Sequence, residues 1–171
     1  MLSEDPIYEK LNEATSIRGF ITASVAIFDD AVEKLINRVF RKTDFVVKSV
    51  IDSLFETSGP LSELPIRLKV LLGLGVISHE VFEDINGFIK IKETLNNAEK
   101  EYDFSDPIVA DFLQSLHLLQ DKSLLQFESD SSDKDSLLYQ VKALRREKLI
   151  RSCLSLTITD IYQQLRVESP L

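Results

Sequence analysis

Few residues in this chain are of the types that carry out chemistry, and their spacing argues against it. There are two histidines, His79 and His117, and one cysteine, Cys153. His79-Glu80 followed by Glu83 has part of the pattern of a zinc-binding helix, which needs two histidines four residues apart so that both rings meet one ion. Glu83 stands where the second histidine belongs. A di-iron bundle needs glutamate three residues before histidine on two helices, whereas Gln114 precedes His117 and Val76 precedes His79. Gly73-Leu74-Gly75 has the start of a dinucleotide-binding turn, but the third glycine would fall at Ser78 and the segment follows a helical pattern where a strand is required. Cys153 sits at an apolar position, where a thiol packs as a small hydrophobe, and no base and orienting group can be paired with it. The reading is of a protein that is not an enzyme, with no catalytic residue, no cofactor site and no metal site.

The charged residues are more informative. Twenty basic against 28 acidic side chains leave a formal net charge of −8, which repels nucleic-acid phosphates and anionic membranes at long range. Residues 101–136 carry two basic and nine acidic side chains, residues 137–171 six basic and three acidic, so an acidic and a basic face are both expected. Lys142, Arg145 and Arg146 are offset by three and four residues, which places them on one helix face. Together with Arg41, Lys42, Arg67 and Lys69 they are the candidates for docking a protein partner, against the plainer reading of solvated surface or internal ion pairs.

The elements that must position these residues are helical. A short charged helix is expected over Ser3 to about Leu11, and a long core helix over Ser16 to Val39, where Ile17, Phe20, Ile21, Ile27, Phe28, Ala31, Leu35 and Val39 recur at three- and four-residue steps. Thr43 or Asp44 can cap a further helix with Val47, Val50, Ile51 and Leu54 on its apolar side. Pro60 and Pro65 open the next helix, with Leu61, Leu64, Leu68, Leu71 and Leu72 at helical spacing; Gly73 and Gly75 close it, and Ser78 caps its successor, which runs from His79 toward Leu95. Gly87 costs this helix about 1 kcal/mol relative to alanine, which implies a close crossing or a bend. Asp106-Pro107 restarts a helix carrying Ile108, Val109, Phe112, Leu113, Leu116 and Leu119. Residues 127–136 are too polar to bury and read as a mobile loop within one domain. A final helix from about Asp135 to Val167 has Leu154, Ile158, Ile161 and Leu165 on its core side, widened by Leu149, Cys153 and Leu156. The expected fold is all-α, a single-domain multi-helix bundle over residues 1–171.

Ser58 to Ile85, with Val39-Phe40-Arg41-Lys42-Thr43-Asp44 before it and Tyr102-Asp103-Phe104-Ser105-Asp106-Pro107 after it, resembles the mannitol operon repressor family, over roughly Ala14 to Leu119 and more weakly through the last helix. The resemblance implies a negative regulator of a sugar-alcohol uptake operon and brings no catalytic residues with it. The helical pair from Leu64 to Phe88 has the outline of a helix-turn-helix, but its second helix would present Glu80, Glu83 and Asp84 to phosphate with no lysine or arginine before Lys90. Repression is therefore expected to be indirect. The partner would be another transcription regulator or a carrier protein of the phosphotransferase system, and homo-oligomerisation is compatible with the sequence. The alternative is direct DNA binding through the basic C-terminal helix. A single cysteine allows no internal disulfide, the N-terminus Met-Leu-Ser-Glu-Asp-Pro lacks the basic start and apolar run of a signal peptide, and the uncharged run Gly19 to Phe28 is far short of the ~20 residues that span a bilayer. A soluble, cytoplasmic protein is expected.

Overall fold

The computed structural model describes residues 5–40, 45–56, 58–122 and 137–167, and within them the chain forms seven helices and no strand: α1 (Asp5–Glu13), α2 (Ile17–Val39), α3 (Phe45–Phe55), α4 (Leu64–Gly73), α5 (His79–Asn97), α6 (Pro107–Ser115) and α7 (Leu137–Gln164). The all-α expectation holds. The polar segment 127–136 and the caps proposed at Thr43 and Asp44 lie outside the described residues.

Helix α2 is the centre. Ser16 starts it, its hydroxyl accepting the Gly19 N–H at 3.0 Å, and 12 of its 23 residues are buried, too many for one face against a single neighbour. Helices α1, α4, α5 and α7 all pack on it. Edge-to-face ring contacts tie the layers together, with Phe28 of α2 5.0 Å from Phe88 of α5, and Phe88 4.8 Å from Phe112 of α6.

The α4–α5 pair is a hairpin joined by a glycine turn. Gly75 has φ of +73°, the left-handed conformation that L side chains rarely adopt, and the Val76 N–H closes the end of α4 on the Leu71 carbonyl at 3.0 Å. The Ser78 hydroxyl accepts the Val81 N–H at 3.2 Å and starts α5. Pro65 lies in the first turn of α4, while Pro60 belongs to the turn before it. In that turn a Cβ on Gly59 would collide with the backbone carbonyls of Ser53 and Leu54, so glycine is needed there for close approach.

Several expectations are corrected. Leu116 and Leu119 are buried, yet α6 stops at Ser115. The reason is Asp84, a buried carboxylate on α5 that accepts the His117 N–H at 2.7 Å and the Leu118 N–H at 2.9 Å, taking those donors away from a continued helix. Gly87 meets nothing within 4 Å of where a Cβ would stand, so it marks no close crossing. Val50 and Leu156 are exposed, not part of an apolar core side. Leu72 and Leu149 are half-buried at the core's edge.

Replacing Asp84 by alanine strands two backbone donors in the interior. The expected loss is about 3 kcal/mol in urea unfolding, at about 1–3 kcal/mol for each unsatisfied buried group; a loss below about 1 kcal/mol would show that the clamp does not hold the 116–119 segment. Gly59→Ala is expected to lower the melting temperature by several degrees, since the collision is with backbone that cannot rotate away.

Candidate partner-docking surface

The residues that could do chemistry are scattered. Among the described residues no group of three or more His, Cys, Asp or Glu side chains is placed to hold a metal ion. His79 is exposed, its Nε2 3.3 Å from Glu83 Oε1 one turn along α5, an ordinary surface pair. His117 contributes its backbone N–H to Asp84 and leaves its ring exposed. Cys153 is buried, and that burial, with the Asp121 carboxylate adding to it, pushes its thiol up from the usual range, so at neutral pH it is the unreactive protonated form. No helix among the described residues is long and apolar enough to cross a membrane.

The hairpin is acidic at the end a DNA reader would insert. Val81, Asp84, Ile85, Phe88, Ile91 and Leu95 of α5 are buried, while His79, Glu80 and Glu83 at its N-terminal end are exposed, and the two carboxylates there would face phosphate.

The basic candidates fare differently. Arg41 and Lys42 lie outside the described residues. Arg67 is no docking residue: it is 7% exposed, its Nε donates to the Leu61 carbonyl, its Nη1 lies 3.4 Å from Asp29 Oδ1, and its guanidinium sits 5.7 Å from the centre of the Phe55 ring. Its charge ties α4 to α2 and α3, a use that its neighbour Lys69, which is exposed, does not share. On α7, Lys142 and Arg145 are exposed and Arg146 is half-buried toward the body, so the three do not form one open face.

The first half of α7 holds what sequence reasoning missed. The core-facing run of this helix, Ile150, Leu154, Ile158 and Ile161, is buried, but Leu137, Leu138, Val141 and Leu144 are exposed, the first at 77%. Positions 137, 141, 144 and 148 keep helical steps of their own, but at 100° per residue their mean direction lies about 115° around the helix from that of the core positions 150, 154, 158 and 161. That phase slip was the available signal. Arg151 fastens the helix at the changeover: its guanidinium lies 4.4 Å from the Phe104 ring centre, its Nε donates to Glu147 at 3.2 Å and an Nη donates to the Thr15 carbonyl at 3.3 Å. Beside this half-helix a groove of about 730 Å³ runs between α7, the start of α2 and the segment 101–105; its walls include Glu101, Asp103, Tyr102, Tyr139 and Leu144.

The double variant Glu80→Lys, Glu83→Lys removes the acidic obstacle on the hairpin. It is expected to gain only weak, sequence-independent DNA binding in fluorescence anisotropy at about 0.15 M salt; tight, sequence-selective binding would make the hairpin a DNA reader.

Known proteins place the molecule. The mannitol operon repressor of Escherichia coli K12 is 31% identical over 165 residues, covering 96% of this chain and 83% of that protein. Fumarase E of the same organism is 21% identical over 165 residues, with 96% and 97% covered. Among solved structures, the X-ray structure of the MtlR–HPr complex from Escherichia coli matches with a TM-score of 0.90 at 30% identity, covering 98% of this chain and all of that one. YggD from Shigella flexneri matches with a TM-score of 0.80 at 20% identity, a likeness of fold alone. The mannitol repressor family model matches residues 3–166, which is nearly the whole chain and includes the glycine hairpin and both flanking segments that carried the resemblance, so this chain belongs to the mannitol repressor (MtlR) family.

Proposed function

We propose that this protein is a cytoplasmic negative regulator of a mannitol-type, sugar-alcohol uptake operon, and that it represses through protein contacts instead of by gripping the promoter. The observation that carries this reading is the relative solved with HPr, which shares the fold at a TM-score of 0.90 and 30% identity. A phosphotransferase-system carrier of the HPr kind is accordingly the first partner to test. Two features of this chain support an indirect route: its net charge of −8, and the exposed Glu80 and Glu83 at the helix end that a helix-turn-helix would put against DNA. Direct DNA binding remains the second reading because Lys142 and Arg145 stand exposed on α7.

The protein acts by binding and not by catalysis. A fumarate-hydrating activity, the reading that one relative's name raises, would need a base poised over substrate. His79 is exposed and pairs only with Glu83, and Cys153 is buried and protonated, so neither is so placed.

Deletion of the gene is expected to raise transcription of the sugar-alcohol uptake genes. Purified protein should bind the purified carrier in calorimetry yet protect no promoter site at nanomolar concentration in about 0.15 M salt. A discrete footprint under those conditions would establish direct repression, and a measurable turnover of fumarate would overturn the non-enzymatic reading.

A further inference from the structure

The exposed stripe on the first half of α7 stands apart from everything used above. Leu137, Val141 and Leu144, with Leu138 beside them, form an exposed apolar strip to one side of the core-facing positions, with Leu144 at the rim of the groove against the body. A strip over residues 137–148 is about 18 Å long at 1.5 Å per residue, the size of contact that one partner helix makes. Large apolar residues that are contiguous, in phase and 37–77% exposed mark an interaction surface more strongly than the scattered Val50, Ile66 or Leu74 do elsewhere.

Charge decides what covers it. Lys148 continues the strip and Arg145 flanks it, both exposed, and Glu147, the one acidic side chain of residues 137–148, already binds Arg151. A second copy of the same strip laid antiparallel would bring two such basic segments together, and like charges at that range oppose pairing. Nucleic acid would meet the basic residues but leave four large apolar side chains against phosphate and water. A helix with leucines along one face and carboxylates on its flanks satisfies both parts of the surface.

We infer that the first half of α7 is a docking site for an acidic partner protein that presents an apolar helix face, with Leu137, Val141 and Leu144 as the buried centre and Arg145 and Lys148 as the charged rim. This does not rest on the carrier reading above, since it names a surface by its own chemistry.

The test uses the full chain and two synthetic helical peptides of about three heptads, both with leucine at the core positions, one flanked by glutamate and the other by lysine. The glutamate peptide is expected to bind, more weakly as salt rises, and the lysine peptide to bind at least tenfold more weakly. Leu144→Glu and Arg145→Glu should each weaken the glutamate peptide at least tenfold while leaving the helical spectrum and melting temperature unchanged, because both side chains are already in water; Leu74→Glu, at an exposed leucine elsewhere, should leave binding unchanged. Equal binding of both peptides, or binding indifferent to Leu144→Glu, overturns the inference. So does a dimer in sedimentation that Leu144→Glu dissolves, which would assign the strip to a second copy, and so does binding of a short DNA duplex that Arg145→Glu removes.

Discussion

The structure depends on keeping α2 out of water. A helix with 12 buried residues of 23 is apolar over more of its circumference than one neighbour can cover, so it forces other helices to surround it. Helices α1, α4, α5 and α7 supply that cover, and α6 joins through the Phe28, Phe88 and Phe112 rings. Everything else in the molecule follows from how those elements are held in place around it.

What holds them is a small set of polar groups in apolar surroundings. Arg67 and Asp84 are almost fully buried, and each is satisfied by backbone or by an opposite charge. A buried charge without partners would cost several kcal/mol, so each of these groups restricts the fold to the one arrangement in which its partners are present. Asp84 fixes where α6 ends, and Arg67 fixes α4 against the side of α2 and the end of α3. Arg151 does the same less deeply for α7, at the point where that helix passes from the core into solvent. These charges are thus spent on architecture. Among the described residues, the acidic end of α5, Lys69 and the apolar strip of α7 stay exposed.

Such a molecule is suited to binding another protein. Among the described residues its chemically capable side chains are apart from one another, its hairpin offers acid where a DNA reader offers base, and a run of exposed leucines and valine lies on the first half of a helix that Arg151 fastens midway. Membership of the mannitol repressor family agrees with that character and supplies the regulatory setting.

Local rules were enough for much of this. The helical class, the long α2, the Ser78 cap, the glycine close of α4 and the restart at Pro107 all depend on residues within a few positions of one another, and so were legible from the chain alone. The family was legible for the same reason, as a contiguous ordered run from Ser58 to Ile85. Tertiary structure alone decided what depends on distant partners. That Arg67 is an internal tie and Lys69 a surface charge is set by Asp29 and Phe55, far away in sequence; that the helix stops before Leu116 is set by Asp84, more than 30 residues back. Whether a leucine faces core or water on α7 is set by what packs against it, because a helix can be apolar on two sides and only packing chooses which one is covered.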